Sequence, residues 1–110
     1  MRGMSALLLW LVLLSAPVFA QQNPNSGNFW LAECSNPTSI PCGYYLNGID
    51  EFHTFISGAG GRKLYCAPYG VTIGQFRAVA LKFLSENPAR LHEPFIGLLL
   101  ESLIRAFPCR

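Results

Sequence analysis

Charge is scarce in this chain, and so is histidine. Of 110 residues only eight are Lys or Arg, six are Asp or Glu and two are His. Apart from Arg2 and the pair Arg62-Lys63, the basic residues Arg77, Lys82, Arg90, Arg105 and Arg110 stand alone. No basic stripe forms, which argues against nucleic acid as a partner. A membrane-spanning run of about 20 apolar residues is missing as well; the N-terminal apolar run, Ala6 to Leu14, is about half that length. The cysteines lack the Cys-x-x-Cys pairing of a zinc site, and neither His has a second His at ligand spacing. The glycine-rich stretch Gly58 to Gly61 fits neither the dinucleotide fingerprint nor the P-loop, so no cofactor is expected. Serine and histidine occur without a nucleophile elbow or a placed acid, so no hydrolytic triad is drawn. Strand-like alternation of period two is never sustained, which leaves an all-α fold.

What is present begins with an export signal. Arg2 supplies a short positive segment, Ala6 to Leu14 an apolar core, and Pro17 a break. Val18-Phe19-Ala20 then sets small residues where a signal peptidase reads. Residues 1–20 are therefore expected to be a signal peptide, removed to leave Gln21 to Arg110 without a membrane span. Residues 21–27 are polar and carry Asn, Pro and Gly, the composition of a flexible lead-in. Residues 28–110 form one domain, the only one for which there is room.

All four cysteines, Cys34, Cys42, Cys66 and Cys109, lie beyond the leader. An even count in a short exported chain reads as two disulfides. Four cysteines permit three connectivities, and sequence does not strictly choose among them. The favoured pairs are Cys34–Cys42, closing a tight turn, and Cys66–Cys109, tying the C-terminal region to the middle. A domain this small has a thin core and gains from such staples.

Four helices are expected. The first runs from Asn28 to Cys34, capped by Ser26 or Asn28. The second follows Ser39 as cap and Pro41 in the first turn, with an apolar stripe at Cys42, Tyr45, Leu46, Ile49, Phe52 and Ile56. Gly58-Ala59-Gly60-Gly61 ends it. The third opens on a capping box, Thr72 with Gln75, and buries Ile73, Phe76, Val79, Ala80, Phe83 and Leu84. Asn87-Pro88 stops it. After a polar linker, Ala89 to Glu93, the last helix starts near Pro94 with Ile96, Leu99, Leu100, Leu103 and Phe107 as its stripe. The expected product is a small disulfide-stapled bundle.

Candidate chemistry is thin. Asp50, Glu51 and His53 sit together on the second helix and read as a solvated polar face. His92-Glu93 starts like a zinc-protease helix but meets Pro94, and position 96 is Ile instead of His. A catalytic thiolate is argued against by export and by the even cysteine count. An exposed loop carrying Arg62 and Lys63 survives as a partner-binding feature.

Several segments together resemble a known family. They are Leu31-Ala32-Glu33-Cys34, Cys42-Gly43-Tyr44-Tyr45-Leu46-Asn47-Gly48-Ile49 and Cys66-Ala67-Pro68-Tyr69-Gly70-Val71-Thr72-Ile73-Gly74-Gln75-Phe76. Phe83-Leu84, Asn87 to Pro94 and Ala106-Phe107-Pro108-Cys109 continue the series. In order and spacing they resemble the Rap/Tai family of type VI secretion amidase immunity proteins. The resemblance implies a small periplasmic bacterial protein, not an enzyme and often a homodimer. It would bind a peptidoglycan amidase toxin and fill its cleft so that wall peptide cannot enter. The expected partner-binding residues are Gly60, Gly61, Arg62 and Lys63 with Tyr69 nearby, and second Arg90 and His92. The rival reading keeps the fold but gives it a different periplasmic client.

Overall fold

The computed structural model of the protein describes residues 23–110; the leader expected over residues 1–20 lies outside them. Four α-helices follow one another: α1 Gly27–Ser35, α2 Ile40–Gly58, α3 Ile73–Glu86 and α4 Phe95–Ala106. A 3-10 turn, Pro88–Arg90, sits in the linker before α4. The fold is all-α, and no helix among the described residues is long and apolar enough to cross a membrane.

Local chemistry explains each start. Ser26 caps α1, its hydroxyl accepting from the Phe29 amide at 3.3 Å. The helix begins at Gly27, one residue before the expected start. A side chain there would meet Leu98 Cδ1 at 2.7 Å and the Leu91 carbonyl at 3.1 Å. That closeness seams the chain to the linker before α4. The Gly27 amide donates to Glu93 O, the Asn28 amide to Leu91 O, and the Phe95 amide to Asn25 O. The flexible stretch expected through residue 27 is thus pinned from Asn23, whose carbonyl accepts from Ser26 Oγ.

Ser39 caps α2, accepting from the Cys42 amide and donating to Glu33 Oε1 at 2.9 Å. Arg77 of α3 braces the same corner, donating to the carbonyls of Pro37 and Ser39. On α3 the capping box forms in full: the Gln75 amide donates to Thr72 Oγ1, and the Thr72 amide to Gln75 Oε1. Helix α4 starts after Pro94 with no side-chain cap.

Helix α3 is the hub, in contact with α1, α2 and α4. Phe76, Ala80, Phe83 and Leu84 from it meet Cys34, Cys42, Leu46, Leu98, Leu99 and Leu103 in one core. Trp30, Tyr45 and Phe95 form an aromatic cluster over α1, ring centroids 4.5–5.4 Å apart. Tyr65, in the α2–α3 connection, is among the most buried side chains. Disulfides join Cys34 to Cys42, across the α1–α2 corner, and Cys66 to Cys109, across 43 residues.

Two stripes differ from expectation. On α4 the buried face is Phe95, Leu98, Leu99, Ser102 and Leu103, while Ile96 turns outward. Phe95 sets this phase because its ring completes the aromatic cluster. On α2 the stripe sinks only as far as Ile49. Phe52 is 64 % exposed and Ile56 37 %. The cause is spacing: α2 and α4 hardly approach each other, so α4 does not cover this half of α2.

Candidate docking face

The second half of α2 and the loop that follows it border two depressions. That loop owes its path to two glycines. Gly60 has φ +93°, in the region glycine favours. At Gly61 a side chain would collide with Ile56, its Cβ falling 2.7 Å from the Ile56 carbonyl oxygen. The Gly61 amide donates to that same carbonyl at 2.8 Å. The chain therefore folds tightly back along α2 and delivers Arg62 and Lys63 to the surface.

One depression is apolar. Ile49, Phe52 and Ile56 of α2, Leu64 of the loop, and Ile96 and Leu100 of α4 line a groove of about 240 Å³, with Arg62 at its rim. Helices α2 and α4 hardly approach each other, and the groove is the space between them. The other depression, about 350 Å³, is mixed in character and includes Asp50, Thr54, Ser57 and Lys63 in its lining.

His53 stands in the wall between the two, lining both. Its Nε2 accepts from the Leu64 amide at 3.0 Å and lies 3.5 Å from the Tyr65 amide. An accepting Nε2 places the ring proton on Nδ1. The imidazole stacks on the Tyr65 ring, centroids 3.9 Å apart. Tyr65 in turn donates its hydroxyl to Asp50 Oδ1 at 3.0 Å. Burial, with Asp50 adding to it, pushes the Tyr65 phenol well above its ordinary range. Asp50 and His53 thus clamp the return of the loop, where the sequence suggested a solvated polar face. Only Glu51 of that trio remains exposed, hydrogen-bonded to Asn47. The sequence carried no local signal for this clamp, since Tyr65 lies in a connection 12 residues beyond His53.

The expected partner-binding residues fall into separate groups. Gly60, Gly61, Arg62 and Lys63 form the loop just described, all exposed. Tyr69 is exposed in the connection beyond Cys66. Arg90 lies elsewhere, half-buried and turned inward. Its Nε donates to Glu93 Oε2 at 2.8 Å and its Nη2 to Glu101 Oε2 at 2.7 Å. Arg105 holds the other oxygen of Glu101, and both guanidiniums lie over the Phe83 ring. Arg90 holds both carboxyl groups below their ordinary range. This network welds the 3-10 turn to α4. His92, beside it, is exposed.

No group of three His, Cys, Asp or Glu side chains suited to a metal ion occurs among the described residues. The arrangement suits binding by shape: a stiff loop with two cations, set beside an open apolar groove. Residues 26–109 match a family model described as Rap1a immunity proteins. No curated protein and no solved structure matches the chain.

Proposed function

The chain belongs to the Rap1a immunity protein family, and from that premise we propose that it binds a type VI secretion peptidoglycan amidase in the periplasm and occludes its active site. Its role is immunity to a toxin, discharged by inhibition and not by catalysis. The observation that carries the reading is the family match across residues 26–109. Two disulfides support an oxidising compartment, because such bonds persist outside the cytoplasm.

Occlusion is steric in this reading. The loop Gly60-Gly61-Arg62-Lys63, clamped by His53 and stapled beyond by Cys66–Cys109, presents its cations to the toxin's cleft; the exposed Tyr69 ring follows in the same connection. Little backbone freedom is left to lose on binding, which favours affinity. Arg90 commits its Nε and Nη2 to Glu93 and Glu101, so of the second pair His92 is the residue better placed to reach a partner.

The test is co-expression. An amidase gene adjacent to this one is expressed in the periplasm with and without the protein, and growth is followed. Rescue of growth, with a stable complex on gel filtration, supports the reading. Lysis regardless of the protein, together with no peptidoglycan hydrolase recovered on it from periplasm, refutes it.

A further inference from the structure

The groove between α2 and α4 has a size and a charge that describe its occupant. Pockets for small molecules span about 300–1,000 Å³. At about 240 Å³ this one falls below that range and suits one or two large side chains instead. Its walls are aliphatic and aromatic: Ile49, Phe52, Ile56, Leu64, Ile96 and Leu100. Phe52 and Leu64 keep much of their surface in water, so the groove is open to a partner's side chain.

The rim carries one sign of charge. The ion pairs among the described residues are Lys82–Glu86, Arg90 with Glu93 and Glu101, and Arg105–Glu101. Arg62 and the adjacent Lys63 belong to none of them, and the lining of the groove holds no carboxylate. A second copy packed face to face would place two positive rims together, because an isologous contact repeats the same patch on both sides. A partner that brings its own carboxylate meets no such penalty.

We propose that the groove takes a large apolar side chain from the bound partner, flanked in the partner by a carboxylate that pairs with Arg62. The inference rests on the toxin-binding reading and makes the contact reciprocal. The loop enters the toxin while the toxin anchors itself in the groove.

Two blocked tetrapeptides serve as probes, acetyl-Asp-Leu-Phe-Asp-amide and acetyl-Lys-Leu-Phe-Lys-amide, titrated into the ¹⁵N-labelled protein and followed by NMR. The acidic peptide is expected to shift the amides of Phe52, Ile56, Leu64, Ile96 and Leu100. It should bind about tenfold more tightly than the basic one, the effect of reversing a rim charge. Arg62→Glu should invert that order. Ile96→Glu should abolish binding of both peptides, and Leu64→Glu repeats the test should the first variant fail to fold. Equal binding of the two peptides, or shifts confined to other surfaces, overturns the proposal. So does concentration-dependent self-association that covers the groove, read by sedimentation. Growth protection separates the two readings. Full protection by a folded Ile96→Glu or Leu64→Glu sinks the groove and leaves immunity standing. Failure of the wild type to protect, with peptides bound as expected, sinks immunity and leaves the groove.

Discussion

Replacing His53 with Leu tests the clamp on the cationic loop. The substitution keeps side-chain bulk and removes the acceptor at Nε2. The Leu64 amide is exposed and recovers water, so its loss is small. The Tyr65 amide is partly buried, and an orphaned buried donor costs about 1–3 kcal/mol. The lost stacking on Tyr65 adds about 0.5–1.5 kcal/mol. Because that amide contact is long, the low end applies, and about 2 kcal/mol in all is expected. For a domain of this size 1 kcal/mol moves Tm by about 4–8 °C, so Tm should fall by about 8–16 °C. His53→Gln supplies an amide oxygen that can accept from the loop and should restore part of the loss. The assays are thermal unfolding and hydrogen exchange, with protection at the Leu64 and Tyr65 amides as the local readout. An unchanged midpoint in His53→Leu, or a Gln variant no better than the Leu variant, refutes the clamp.

The glycines divide into two kinds. Gly61→Ala should destabilise by about 1–3 kcal/mol through its collision with Ile56, whereas Gly48→Ala, mid-helix with open space around it, should stabilise by about 1 kcal/mol; urea midpoints moving together would contradict this. Graded reductant followed by alkylation and mass spectrometry should open Cys66–Cys109 first, since Cys109 is exposed while Cys34 and Cys42 are buried. Loop entropy assigns about 4 kcal/mol to the 43-residue closure and about 2.5 to the eight-residue one. The double variants lacking each bridge should rank in that order by unfolding. Glu93 and Glu101 have lowered folded values, so their stabilisation is complete above the ordinary carboxylate range and drains away as pH falls through the lowered values. Arg90→Gln should flatten that acid limb in a pH series of unfolding midpoints; an unchanged limb would show the network to be idle.

The architecture was legible where local chemistry decides it. Ser39 with Pro41, and Thr72 with Gln75, mark their helix starts by side chains within three residues. The phase of α4 was not legible, because Ile96 and Leu99 fit a helical stripe as well as Phe95 and Leu98 do. The choice falls to Trp30 and Tyr45, more than 45 residues away, whose rings accept Phe95. The same limit hid the groove. The α2 stripe looks continuous through Phe52 and Ile56, and only the gap between α2 and α4 shows that its second half goes uncovered. Of the candidate site, the loop at Arg62 and Lys63 could be named from its glycines and charge, but His53 and Tyr65 meet only through the fold.

The seam between the first turn of α1 and the linker before α4 bears on how the molecule matures. A chain emerging from its N-terminus can shut the Cys34–Cys42 bridge early, because its cysteines are only eight positions apart. Trp30 and Tyr45 then stay bare until Phe95 arrives, and Asn25 and Gly27 await Leu91 to Phe95. The Cys66–Cys109 closure comes later still, because α3 and α4 lie within its span. Until then the chain is an apolar hairpin with an untied arm, and the last helix draws the hem closed.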